Sequence, residues 1–365
     1  MHHTRESQPG LVLFTDPYPI PALHTLAGRN IADTCLDYHT THVKKDILNS
    51  HNYDTTTPTR TSVPFFPTED AKLRATALDI RRGGNCPNSI QVLEQLLSER
   101  DAVQPYLVSC LPNASSPASR RIASSFGSSS KLNFRHCIYH ETSTEAASCY
   151  IIRSLESGSR TLVNYSDLPE MTTDQFETVA RSFSPDQETW WHFEGRIPDT
   201  TLKCIRLLRD VLPTAQISIE VEKPGREGLP ELAAEADVVF YSRSWAEERG
   251  HESPESCLRT ELHEKASLAL CTWGADGAAG LSRAACEYVR CPAKEDAEGA
   301  ISVVDAVGAG DTFIAGMLYG LVCHADDWSV GQKVSFAVRL ATLKVQREGF
   351  AGLGADVLGC VSDES

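Results

Sequence analysis

The sequence predicts an α/β fold: a mostly parallel central sheet flanked by helices, with a small β-sheet set apart from it. Two observations carry this expectation. From Thr189 onward, short apolar runs of strand length alternate with stretches of helical periodicity, as in successive βαβ units. Earlier, short alternating runs cluster at about residues 68–82 and 136–166, which fits a separate small sheet.

Residues 1–62 read as a divergent or disordered N-terminal segment. Tyr38 to Ser62 is rich in Thr, His and Asp with little periodicity, and "LVLF" at Leu11–Phe14 is its one strand pattern. Residues 63–365 read as one domain. "KLRATALDI" alternates as a half-buried strand does. After "RRGGNCPN" a helix follows, with Ile90, Val92, Leu93 and Leu96–Leu97 on one side. "SSPASRRIASSFGSSS" reads as a helix and a loop. "HCIYH" and "SCYIIRSLESGSRTLVNY" read as strands, with a hairpin at Ser157–Gly158. "TWWHFEG", "ISIEV", "DVVFYS" and "SLALCTWG" are further strands. "DTTLKCIRLLRDVL" is a helix with Asp199 as its cap and Leu202, Ile205 and Leu208 on one face. Ile301–Val304 reads as a strand, Gly310 opens a long helix, and "VGQKVSFAVRLATLKVQ" is another. In such sheets, ligands bind at the carboxyl ends of the strands.

Composition narrows the classes. The chain has 365 residues, 41% hydrophobic and 23% charged, the profile of a globular protein with a sizeable core. A net charge of -15 without a dense Lys/Arg stripe argues against a nucleic-acid partner. Twelve cysteines occur without a C-x-x-C pair or zinc spacing, so they read as scattered reduced thiols and no protein metal site is expected. No run reaches the length of a membrane span, and the N-terminus lacks a signal-peptide pattern. No membrane partner and a cytoplasmic location are therefore expected, and the sequons at Asn113 and Asn164 carry no weight.

The chemistry concentrates in "VVDAVGAGDTFIAGMLYGL". After Asp305, the Gly308-Ala309-Gly310 turn brings bare N–H groups to the start of a helix, where the dipole favours an anion. A carboxylate at the same place, Asp311, can accept a hydroxyl proton while those amides hold a phosphoryl group in transfer. A lone G-x-G with an N-cap Asp would be an ordinary turn; the full D-x-x-G-A-G-D string before a helix is a stronger signal. A second motif, "RRGGNCPNS", offers Gly84, Asn85 and Asn88, whose amides both donate and accept and so suit hydroxyl recognition.

These motifs resemble those of the ribokinase-like, phosphofructokinase B-type carbohydrate kinases, in particular their ketohexokinase branch, from about Val63 to Leu353. The family's D-T-x-G-A-G-D keeps Asp305, Gly308, Ala309, Gly310 and Asp311 here, with Ala306 in place of the Thr. The resemblance implies that Asp311 is the catalytic base and that Gly308, Ala309 and Gly310 form the anion hole. It implies that Gly84, Asn85 and Asn88 contact the sugar. "PTEDAKLRA" is similar to a lid strand with Asp70 at the acidic position, and "WHFEGR" places Glu194, Gly195 and Arg196 toward the sugar. Arg160 in "GSRTLVNY", Glu222 in "EVEKP", and Gly274, Ala275 and Gly277 in "CTWGADGA" match ATP-side positions. Taken singly, an arginine such as Arg160 or Arg196 is more often a surface charge, and the order and spacing of the set carry the resemblance.

The implied activity is ATP-dependent phosphorylation of a small sugar, a ketose by the ketohexokinase likeness, with ribose, a nucleoside or another polyol as alternatives. ATP would come with Mg2+, held mainly by phosphate oxygens and water. The small sheet would act as a lid and could join two chains into a homodimer. Two departures stand out. The family's N-x-x-E is replaced by "YSRSWAEE", with Ser242 and Trp245 in those places, a departure that the ketohexokinase branch shares. The substrate Asp at the end of the family's first strand has no counterpart just before Asp70, where Asp37 and Asp54 are the candidates. A catalytically impaired, nucleotide-binding relative is the alternative that this gap raises.

Overall fold

The computed structural model describes residues 10–14, 57–157, 159–166, 168–293 and 301–359. Its main sheet has eight strands in the order β14-β13-β12-β11-β10-β9-β1-β4. Strands β1 (Gly10–Phe14) and β4 (Gln104–Val108) pair in parallel, and so do β9 (Thr189–Glu194), β10 (Gln216–Val221), β11 (Val238–Tyr241) and β12 (Leu268–Thr272) along the row. An antiparallel edge follows with β13 (Ala278–Ser282) and β14 (Glu287–Cys291).

The parallel strands are apolar on both faces, as burial between two helical layers requires. In β11, Val239 and Tyr241 join one core while Val238 and Phe240 join the other; Ala269 and Cys271 of β12 part from Leu268 and Leu270 in the same way. Helices Thr173–Ala180, Pro198–Val211 and Pro254–Glu261 close the first face. Helices Asn85–Leu96, Ala309–Val322 and Val330–Val345 close the second. On that second face β9 and β10 break the apolar rule: His192, Glu194, Ser218 and Glu220 replace the expected apolar side chains, and all four are buried. These substitutions mark where the site lies.

A separate sheet has the order β3-β2-β7-β8, formed by Ala77–Ile80, Thr57–Val63, Ser148–Ser154 and Arg160–Tyr165. Strand β2 pairs in parallel with β7 and antiparallel with β3, and β7 and β8 form the expected hairpin. Registered neighbours share a face, so Arg60, Ile151 and Leu162 point one way and Thr61, Leu78 and Ile152 the other.

The structure redraws several sequence expectations. Leu11–Phe14 is a strand, as its pattern suggested, and it sits inside the main sheet between β4 and β9. The expected boundary at 62/63 falls within β2, whose Thr-rich sequence fits a pleated strand better than its polarity suggested. In "KLRATALDI" only Ala77–Ile80 is a strand. Ile138–His140 (β6) pairs with Cys110–Pro112 (β5) instead of joining the small sheet. Residues 301–304 do not form a strand; Val304 and Asp305 donate their amides to the Val345 carbonyl, at 2.8 and 3.1 Å. Asp199 lies in the first turn of its helix, which is capped by Ile197.

Candidate active site

At the carboxyl ends of the parallel strands, beneath the small sheet, lies a cavity of about 530 Å3. Its floor includes Gly84, Asn85 and Asn88, then Ala306, Val307, Gly308 and Gly310, and Asp311; Arg196, Glu220 and Glu222 form a side wall. Cys149, Ile151 and Leu162 of the small sheet form its roof.

Gly308 caps the Ala309–Val322 helix with φ 79, a backbone region that glycine enters without steric cost. A Cβ there would lie 2.4 Å from the Phe350 ring, so both conformation and space demand glycine. The turn delivers Asp311 into the first turn of the helix, where it is buried. Asn88 Nδ2 donates to Asp311 Oδ2 at 2.7 Å, and Ser89 Oγ donates to the Asp311 carbonyl at 3.0 Å. The two predicted motifs, 223 residues apart in the chain, are thus joined side chain to side chain.

Burial holds the Asp311 carboxyl well above the usual carboxylate range, and the negative charge of Glu220 adds to this; the Asn88 hydrogen bond acts the other way. A carboxylate with a raised pKa is a stronger base, so the environment suits proton acceptance from a hydroxyl.

Behind Asp311 runs a buried polar line that the sequence did not disclose. Trp190 Nε1 donates to Ser218 Oγ at 2.8 Å. Ser218 Oγ lies 2.9 Å from His192 Nδ1, and His192 Nε2 lies 3.0 Å from Glu220 Oε1. Burial pushes the His192 pKa down to about 3, so the imidazole is neutral. With the Ser218 hydroxyl donating to Nδ1, the Nε2 proton is directed at Glu220. Glu220 also accepts from Asn85 Nδ2 at 3.0 Å, and Asn85 lies 3.4 Å from Glu222 Oε2. Glu220 therefore orients Asn85 toward the cavity while its charge raises the Asp311 pKa. The available signal was the pair of polar residues at alternate positions in "ISIEV", whose remaining side chains are apolar.

This arrangement gives a pH expectation. With Asp311 as base, activity should be lost as pH falls through its raised pKa, so the acid limb of kcat/KM is expected above the ordinary Asp range. Burial, with the charges of Glu194 and Glu222, raises Glu220 as well, so the two carboxyls titrate as a pair; Glu220→Gln removes one member and should move the limb of the other to lower pH. A pH series of kcat/KM on both proteins checks it, and an unmoved limb would contradict the coupling.

The remaining predicted residues are placed as follows. Arg196 reaches the cavity wall and donates to Glu194 Oε1 at 2.6 Å. Glu222 lies at the rim, its side chain 45% exposed and 3.2 Å from Lys223 Nζ. Ala309 is the first residue of the helix after the cap. Gly274 and Ala275 lie in the short 3-10 turn after β12, near the cavity-lining Thr272. Gly277 has a packing reason of its own: a Cβ would lie 2.1 Å from the Cys291 carbonyl oxygen. Arg160 begins β8 opposite Arg153; its side chain lies outside the described residues. Asp70 is exposed in a turn at φ 60 and does not line the cavity. Asp37 and Asp54 lie outside the described residues.

A buried carboxylate beside a glycine turn and a helix start, in a cavity edged with side-chain amides, suits moving an anionic group onto an alcohol. The comparisons give the family. The model described as pfkB family carbohydrate kinase matches residues 53–353, and the chain belongs to that family. It is 28% identical to ketohexokinase of Mus musculus over 300 residues, covering 80% of this chain and 93% of the relative. In fold it is similar to ribokinase of Thermotoga maritima, with a TM-score of 0.67 at 12% identity, covering 98% of this chain and 100% of that one. It is likewise similar to Arabidopsis thaliana ribokinase solved with ribose and ATP, with a TM-score of 0.66 at 15% identity, covering 97% and 98% of the two chains. The chain is thus a carbohydrate kinase of this family with a ribokinase-like fold.

Proposed function

We propose that the protein transfers the terminal phosphoryl group of ATP to a hydroxyl of a ketose. The observation that carries this is Asp311, buried at the helix start and tied to Asn88 at 2.7 Å, with the glycine turn directly before it. The likeness to mouse ketohexokinase favours a ketose over ribose or a nucleoside. In this reading Gly84, Asn85, Asn88 and Arg196 bind the sugar. Asp311 takes the proton of the attacking hydroxyl, and the amides of Gly308, Ala309 and Gly310 hold the phosphoryl oxygens. Arg160, Glu222 and the turn of Gly274, Ala275 and Gly277 serve the nucleotide.

The donor set also suits Mg2+. Glu222, at the cavity rim, offers a carboxylate oxygen, the hard ligand that this ion takes, often through water, with phosphate oxygens and water as its main ligands. Bound there, the ion would neutralise charge on the phosphate oxygens.

The small sheet supplies a surface for a second copy. On the face away from the cavity, Leu78 and Tyr165 are 45% and 49% exposed. An apolar sheet face of this kind calls for cover, and a homodimer through the lid provides it. Leu78→Glu should shift the protein from dimer to monomer at micromolar concentration in sedimentation velocity, and a parent protein that is monomeric there would remove the dimer. A cytoplasmic location is part of the proposed reading; separately, among the described residues no helix is long and apolar enough to cross a membrane.

The test is an ADP-release assay with fructose, ribose and adenosine as acceptors. Release that depends on fructose is expected. Release with ribose or adenosine alone would reassign the substrate. Nucleotide binding with no release for any acceptor would identify an impaired relative.

A further inference from the structure

Lys344 is fully buried, 0% exposed, near the end of the Val330–Val345 helix. A buried ammonium is costly unless each of its three N–H groups finds an acceptor. Here the acceptors are the Asp305 carbonyl oxygen at 2.9 Å, Asp305 Oδ2 at 3.2 Å and the Arg347 carbonyl oxygen at 3.4 Å. The ammonium also lies 5.4 Å from the centre of the Phe350 ring, the ring that packs against Gly308. Asp305 in turn receives the Val307 amide on Oδ1 at 3.1 Å and has Arg81 at 3.5 Å. One cation thus grips both ends of the turn that leads into the anion hole: Asp305 where it begins and Phe350 behind its cap.

The peptide geometry gives this grip a direction. No cis peptide occurs among the described residues, and in a trans peptide the C=O and N–H point opposite ways. With the Asp305 carbonyl turned toward Lys344, the N–H of the same peptide, that of Ala306, turns away from it. Ala306 lines the cavity.

We propose that Lys344 is a positioning residue, an internal cation that sets the Asp305–Ala306 peptide so that the Ala306 N–H faces the cavity as a further donor beside the Gly308–Gly310 amides. Lysine suits this role because its charge is compact and its donors are free to turn toward three acceptors, whereas a planar guanidinium would not match them. The charge also strengthens each of these hydrogen bonds in a buried setting. The consequence for turnover rests on the kinase reading above; the consequence for loop order does not.

The experiment uses Lys344→Met, close in length but neutral, and Lys344→Ala, which leaves room for a small cation. Lys344→Met should lower kcat by about 30- to 300-fold, toward the loss seen when an anion-hole donor is removed, with the KM for sugar within about twofold of the parent. Hydrogen exchange at the amides of residues 305–310, read without substrates, should speed up in the variant while the core strands stay protected. Methylammonium should restore part of the activity of Lys344→Ala, and tetramethylammonium, which has no N–H, should not. A folded Lys344→Met with parental kcat and parental exchange would overturn the proposal. So would variants that merely melt earlier, with parental kcat in the folded fraction and no response to methylammonium. If the parent showed no kinase activity, the functional reading would fall while the exchange result still decided the loop role.

Discussion

Asp311→Asn is expected to lower turnover by about two to four orders of magnitude, the usual scale for a positioned base. The change is nearly isosteric, and it removes a buried negative charge whose pKa burial and Glu220 already raise. The amide can still accept from Asn88 Nδ2 through its oxygen, so the contact at 2.7 Å has a replacement partner. Binding should therefore survive: nucleotide affinity measured by calorimetry should stay within a few-fold of the parent. Steady-state kinetics with saturating ATP and ketose read the loss. A variant with parental turnover would remove Asp311 from the reaction.

Gly308→Val should produce the second large loss, about 10²- to 10³-fold in turnover, because it misplaces the amides that receive the phosphoryl oxygens. Two independent effects coincide at this position. A β-branched residue is a poor occupant of φ 79, and its Cβ would lie 2.4 Å from Phe350 Cζ. The helix start must shift, or the Phe350 segment must. Gln95 Nε2 holds the Phe350 carbonyl at 2.9 Å and resists the second course. A melting curve separates misplacement from unfolding, and the milder Gly308→Ala keeps the test informative if the valine variant does not fold. Parental kcat in a folded Gly308→Ala would contradict the assigned role of this turn.

The centre of the site was legible because its chemistry is local in sequence. Asp305 to Asp311 hold the turn, the helix start, the amides proposed as the anion hole and the proposed base within seven residues. The Gly-Gly-Asn motif was legible for the same reason, and the 2.7 Å contact between Asn88 and Asp311 joins the two. What escaped depends on pairing in space. The line from Trp190 through Ser218 and His192 to Glu220 exists because β9 and β10 lie side by side in register, with His192 opposite Ser218 and Glu194 opposite Glu220. Read one strand at a time, each polar residue is only an interruption of an apolar run.

Lys344 escaped for a different reason. A lysine near the end of an amphipathic helix normally faces water or the helix dipole, and only the fold places the Asp305 and Arg347 carbonyls around it. Strand β2 was hidden by composition: Thr and Pro read as loop residues, yet the strand is paired on both sides, by β3 and β7. The opposite error occurred at Ile301–Val304. Its apolar pattern suggested a strand, but Val303 and Val304 are exposed and the segment is tied to the Val345 carbonyl at a helix end.

The central claim is that this cavity passes a phosphoryl group from ATP to a sugar hydroxyl with Asp311 as base. Phosphorus NMR of the protein with ATP, Mg2+ and fructose tests it most directly. The expected result is a growing phosphomonoester signal matched one for one by ADP, in the parent and not in Asp311→Asn on the same timescale. ADP appearing with inorganic phosphate alone, or a phosphomonoester formed equally well by Asp311→Asn, would contradict the account.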